Sequence, residues 1–150
     1  MLTLKFLLLA PLAILAGSSF VVQQVVNAQL RTELASVWWA GFVSYLGGTL
    51  AMLAMIVVLR EPMLSLGMIG RTNLSAWTGG VFGALYIAIS ILLVPRLGAA
   101  TVVALIVVGQ MLTALAFDHY AMLGAPHYPL TPARLLGAAL LIAGAILMRL

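Results

Sequence analysis

A chain of 150 residues that is 65% apolar and only 7% charged, with a mean hydropathy of +1.23, cannot coat a globule of its own size with ions, since soluble domains carry about 25% charged residues. The sequence therefore reads as an integral membrane protein. Its net charge of +4 comes from seven Lys/Arg scattered singly against three Asp/Glu. No basic patch results, which excludes a nucleic-acid partner, and the absence of cysteine excludes a disulfide framework, thiolate metal ligation and a thiol nucleophile.

A helix needs about 20 mostly apolar residues to cross hydrocarbon, and five segments meet that pattern. The first is Leu4–Ala28. Lys5, the apolar run and Ala13/Ala16 loosely fit a signal peptide, but the run continues past Ala16, so an uncleaved span is expected. It carries an anomaly: Gln23, Gln24 and Asn27 stand within five residues of one another, where hydrocarbon cannot solvate an amide. Phe20, Gln23 and Asn27 follow helical spacing, which favours Gln23 over Gln24 as the amide on the shared face.

The second span is Ser36–Leu59, with Trp38, Gly41, Tyr45 and Gly48 on one face, Ser44 beside them, and Trp38 and Trp39 near an end where aromatics anchor at the interface. A connection from Arg60 holds two Arg, a Glu and a Pro before the third span, Ala76–Val94, on which Gly79, Gly83, Tyr86 and Ser90 form a stripe. Gly79 and Gly83 have the small-xxx-small spacing of close helix packing. Tyr86 suits either an interhelical hydrogen bond or a substrate contact. Pro95 is expected to stop this helix and Gly98 to permit a tight turn.

The fourth span, Gly98–Phe117, bears Gln110 and Thr113 three residues apart and ends at Asp118. Membrane hydrogen bonds between helices average about 0.6 kcal/mol. Gln23, Asn27 and Gln110 are therefore read as lining a wetted cavity, with helix bonding as the alternative. Asp118, next to His119, is the one acidic residue at the end of an apolar span; it is a proton-coupling candidate or a solvated helix terminus. Asp118, His119 and His127 also raise a metal or enzyme site, but they share one loop and no nucleophile or phosphate motif accompanies them, so no metal, cofactor or catalytic role is expected. The fifth span, Ala133–Leu150, should start with Thr131 as N-cap and Pro132 as first helical residue. Its Gly137 and Gly144, seven apart, make a small-residue ridge for packing against another helix, including a second copy of itself.

Five spans put the termini on opposite sides. One side then holds Lys5, Arg60, Arg71 and Arg134, the other Arg31, Arg96 and Arg149. Orientation follows the Lys/Arg imbalance between loops, and four against three barely constitutes one: insertion in both orientations is the expectation, with a weak bias that still orients every copy alike as the alternative.

The segments Gly17–Leu30 ("GSSFVVQQVVNAQL"), Phe42–Met52 ("FVSYLGGTLAM"), Thr78–Gln110 and Asp118–Leu140 ("DHYAMLGAPHYPLTPARLLGAAL") together resemble the small YdcZ-type family of the drug/metabolite transporter superfamily, over nearly the whole chain. The resemblance implies half of a ten-helix transporter working in pairs: one chain inserted both ways as an antiparallel homodimer, or two sister chains. It carries over Gln23, Asn27, Ser44, Tyr86, Gln110 and Asp118 as functional positions, and Gly47, Gly79, Gly98, Gly109 and Gly124 as packing or turn glycines. The expected fold is all-α, with two inverted five-helix repeats around a midplane site. The expected function is export of a small polar or amphiphilic organic molecule by alternating access from a bacterial-type inner membrane, with protons as the candidate coupling ion. A passive channel or an assembly subunit, its polar stripes mere packing contacts, is the alternative.

Overall fold

A computed structural model describes residues 4–124 and 126–148, and every regular element among them is helical. The chain divides into two units, Met1–Pro95 and Arg96–Leu150.

The first unit begins with α1, Leu4–Leu34, which runs six residues beyond the expected Ala28. The polar tail stays helical because its side chains bond along the helix: Gln29 Nε2 donates to Glu33 Oε1 at 3.1 Å, and the Thr32 hydroxyl donates to the Ala28 carbonyl at 3.2 Å. Ala35, with φ 51°, ends it. Ser36 caps the next helix, α2 (Val37–Val58), by accepting the Trp39 N–H at 3.3 Å. Two residues thus join α1 to α2, and they pack as a helical hairpin. The Arg60 connection contains a six-residue helix, α3 (Leu66–Arg71), and a 3₁₀ turn, Leu74–Thr78, before α4 (Gly79–Leu97). Four helical stretches in the two units are long and apolar enough to cross a membrane: Leu9–Leu34, Val37–Val58, Leu74–Leu97 and Ala99–Tyr120.

Side chains bring α4 to the hairpin. Ala40 of α2 and Ile87 and Ile91 of α4 form a small core, flanked by Leu30, Val37, Tyr45 and Tyr86. Tyr45 lies across Gly83: a Cβ added there would collide with the Tyr45 hydroxyl, which itself donates to the Gly80 carbonyl at 3.4 Å. Gly83 therefore serves packing inside the unit, whereas a Cβ at Gly79 would meet nothing within 4 Å. Between α2 and α4 an open groove of about 260 Å³ is lined by Trp38, Phe42, Tyr45 and Ile87.

Pro95 does not stop α4; it lies inside it, and the helix ends two residues later where Gly98 takes φ 81°. A proline within a helix has no N–H for the carbonyl four residues back, here that of Ile91. The Arg31 guanidinium of α1 supplies the missing donor at 3.5 Å, the kind of repair that lets proline persist in membrane helices.

In the second unit, α5 spans Ala99–Tyr120, three residues past the expected Phe117, so Asp118 and His119 belong to its last turn. A left-handed Ala121, φ 48°, closes it ahead of a 3₁₀ turn at Met122–Gly124. The last helix, α6, is Pro132–Leu147, with Thr131 accepting the Arg134 N–H at 3.3 Å and Pro132 in first position, as the sequence pattern predicts. Its 16 residues extend about 24 Å at 1.5 Å each, short of a hydrocarbon core of about 30 Å; the last two residues of the expected span lie outside the described residues. The end of α5 meets the start of α6, and the two pack as an antiparallel hairpin.

If Arg31 caps the carbonyl that Pro95 frees, the two positions are coupled. Arg31→Met should destabilise the protein by about 1 kcal/mol, and Pro95→Ala, which restores a backbone donor, should remove most of that cost. Denaturant unfolding of the four proteins in detergent checks the cycle; strictly additive effects reject the pairing.

Candidate functional site

The amides of α1 converge on two hydroxyls. Asn27 Nδ2 donates to the Ser44 hydroxyl oxygen of α2 at 3.0 Å, and Gln23 Nε2 reaches the same oxygen at 3.4 Å. Gln24 Nε2 donates to the Tyr86 hydroxyl of α4. Phe20, one turn earlier on α1, meets the Tyr86 ring edge-on, with centroids 5.9 Å apart and planes at 85°. Ser90, one turn beyond Tyr86, donates its hydroxyl to the Tyr86 carbonyl at 2.9 Å. Four of the positions singled out from sequence, Gln23, Asn27, Ser44 and Tyr86, thus fall in one polar cluster within otherwise apolar helices.

Helical geometry sorts the two glutamines differently from their spacing. Gln23 and Asn27, four apart, face α2, while Gln24 turns toward α4 and is the more buried, at 4% exposure. The preference for Gln23 as the single inward amide misses that two helices pack against α1 on adjacent sides, so neighbouring residues can both turn inward. The available signal was Tyr86, a mid-span hydroxyl in need of a partner. Asn27 is 5% exposed. Gln24 Oε1 is sealed from solvent and, among the described residues, has no hydrogen-bond partner.

Gln110 belongs to the second unit, on exposed α5 surface. Asp118 is ion-paired: its Oδ2 accepts from Arg134 Nη2 at 2.9 Å, with the two side chains 30% and 35% exposed. Arg134 also donates to the Tyr128 carbonyl at 3.2 Å, and its Cζ lies 5.6 Å from the Tyr128 ring centroid. The loop folds back over the end of α5, Tyr128 N–H donating to the Asp118 carbonyl at 2.8 Å and Leu130 N–H to His119 Nδ1 at 3.5 Å. Asp118 therefore has a structural partner in Arg134. The rings of His119 and His127 stand 6.2 Å apart, and among the described residues no three His, Asp or Glu side chains gather as a metal site.

Beneath the ion pair, a groove of about 340 Å³ between α5 and α6 is lined by Met111, Leu115, Ala138 and Leu141 among others. On α6 it is Ala138 and Ala145 that are buried. Gly137 borders that groove, and both Gly137 and Gly144 have open space where a Cβ would sit, so neither makes a close helix contact within the described residues.

The family model described as "Putative inner membrane exporter, YdcZ" matches residues 8–147. No curated protein and no solved structure matches.

The cluster's energetics are asymmetric. Ser44→Ala leaves two amide donors without their acceptor and should cost about 1–3 kcal/mol, whereas adding Gln23→Leu and Asn27→Leu to Ser44→Ala removes the orphans and should recover much of the loss. Thermal unfolding of the two variants in detergent tests this; a triple variant less stable than the single one contradicts it.

Proposed function

We propose a function from one premise: the chain belongs to the YdcZ family, whose description is that of an inner membrane exporter. It is a multi-pass membrane protein with several helices apolar enough to span, and its family is one of transporters rather than enzymes. Our reading is that it exports a small polar or amphiphilic organic molecule by alternating access. The working unit in this reading is an antiparallel homodimer of five-span chains inserted in both orientations, or a pair with a sister chain, giving ten helices as two inverted repeats.

The observation that carries the reading is the buried amide cluster. Gln24 and Asn27 are each at most 5% exposed, on a helix otherwise fit for lipid, and together with Gln23, Ser44 and Tyr86 they offer donors and acceptors for a solute in transit. The loop charges support the symmetric assembly, since four cations against three barely bias insertion. In the dimer Gln110 would contribute to the pathway, Gly137 and Gly144 would meet a partner helix, and Asp118 would exchange a proton on release of Arg134.

A second reading has an observation in its favour. Gln23 and Asn27 spend N–H groups on Ser44 and so tie α1 to α2, as amides serving only as helix contacts in a channel or assembly subunit would.

Two measurements on cells and proteoliposomes separate these readings. With a single cysteine inserted after Leu2, an impermeant thiol reagent should label about half of the copies, as the charge rule requires; labelling of all or none ends the dual-insertion proposal. Asn27→Ala and Gln110→Ala should each cut solute counterflow by about tenfold or more, equivalent to about 1.4 kcal/mol, while the dimer stays assembled. Joint loss of assembly and flux supports the packing reading instead.

A further inference from the structure

The connection between α2 and α4 has the wrong composition for a solvated loop. It leaves α2 at Arg60, whose positive φ of 54° lets the Glu61 N–H return to the Ile56 carbonyl at 3.0 Å and closes that helix end. Its polar side chains bond within the connection itself: Ser65 accepts the Met68 N–H, Thr72 donates to the Met68 carbonyl, and Asn73 accepts the Ser75 N–H. Its large apolar side chains are left outside. Met63 and Leu66 are 89% and 88% exposed, and Leu64, Met68, Leu74 and Trp77 are exposed as well.

The six residues of α3 are sorted by side. At 3.6 residues per turn, Leu66, Met68 and Ile69 occupy one half of the helix, and Gly67, Gly70 and Arg71 the other. Exposed apolar residues also lead into the connection at Val57, Val58 and Leu59 and out of it at Val81 and Phe82. The flanking stretches Val37–Val58 and Leu74–Leu97 are both fit to span a membrane, so the connection is tethered to the bilayer surface at each end. A helix this short would not hold to lipid alone, but the two spans keep it there at high effective concentration.

The charges suit the same surroundings. Arg60 and Arg71 stand against Glu61 alone in the connection, and among the described residues neither guanidinium has an ion-pair or hydrogen-bond partner. A guanidinium matches a phosphodiester in shape and charge, and a net positive segment at the membrane surface is drawn to anionic lipid.

We propose that the α2–α4 connection is a lipid-binding surface. The side of α3 bearing Leu66, Met68 and Ile69 lies among acyl chains, Arg60 and Arg71 hold lipid phosphates, and anionic phospholipid is the partner it prefers.

The chain has no cysteine, so Ile69→Cys and Gly67→Cys can each carry a single nitroxide label. The two positions face opposite sides of α3, and a Cβ at Gly67 meets only the Ser65 hydroxyl oxygen, at 3.9 Å. In nanodiscs of phosphatidylcholine with phosphatidylglycerol, collisions with dissolved oxygen, which concentrates in hydrocarbon, and with a water-soluble nickel chelate report each label's depth. The Ile69 label should sit about 10 Å deeper than the Gly67 label, the width of a helix with its side chains. In phosphatidylcholine alone it should rise toward water, and Arg60→Gln with Arg71→Gln should abolish the difference between the two lipids. Equal nickel access at both labels means a solvated loop, and shielding of the Ile69 label from both reagents means that protein, such as a second copy, covers it. Either result, or a depth indifferent to lipid charge, overturns the proposal. Both leaflets of the nanodisc have the same composition, so the outcome depends neither on which way the chain inserts nor on the export reading.

Discussion

Hydrocarbon cannot hydrogen-bond, and this constraint governs both the fold and the candidate site. A side-chain amide placed in a membrane helix must find a partner in another helix, in water or in a ligand. Here α1 carries three amides in five residues, and the helices packed against it supply the hydroxyls of Ser44 and Tyr86 that meet them. The apolar core of the first unit is small, centred on Ala40, Ile87 and Ile91, and polar contacts also join its helices. The same rule explains Arg31. Proline at position 95 leaves the Ile91 carbonyl without its helical donor, and a guanidinium from α1 takes the place.

Much of this architecture was legible because lipid simplifies the code. Length and hydropathy located α1, α2, α4 and α5, and cap chemistry placed the start of α6 at Thr131 and Pro132. The ends were less legible. α1 runs to Leu34 and α5 to Tyr120 because polar residues continue a helix readily once it emerges from the apolar stretch, so hydropathy falls before the helix does. Pro95 misled for a different reason: its effect on the helix is cancelled by a residue more than sixty positions away, which no local pattern contains.

The site was legible as a set of residue types and not as a geometry. Spacing put Gln23 and Asn27 on one face, which agrees with their common partner Ser44. It could not reveal that Gln24 turns to a third helix, because that depends on where α4 packs. Asp118 illustrates the converse. As a lone acid at the end of an apolar span it draws a functional reading, yet Arg134, sixteen residues later and one helix away, holds it in an ion pair. That pair, the Tyr128 contacts and the His119 contact bind the fold-back loop to α5, which gives the acid a structural role whether or not it also moves a proton.

Export through this site requires that the α1 carboxamides border water during the working cycle and are not permanently dry packing. Because the chain contains no cysteine, Asn27→Cys creates a single thiol at the centre of the cluster, and such a group reacts with hydrophilic methanethiosulfonates only as a hydrated thiolate. Modification of that thiol in the folded, membrane-embedded protein, slowed by transported solute, is the predicted result. A thiol that stays unmodified until the protein is denatured would contradict the account.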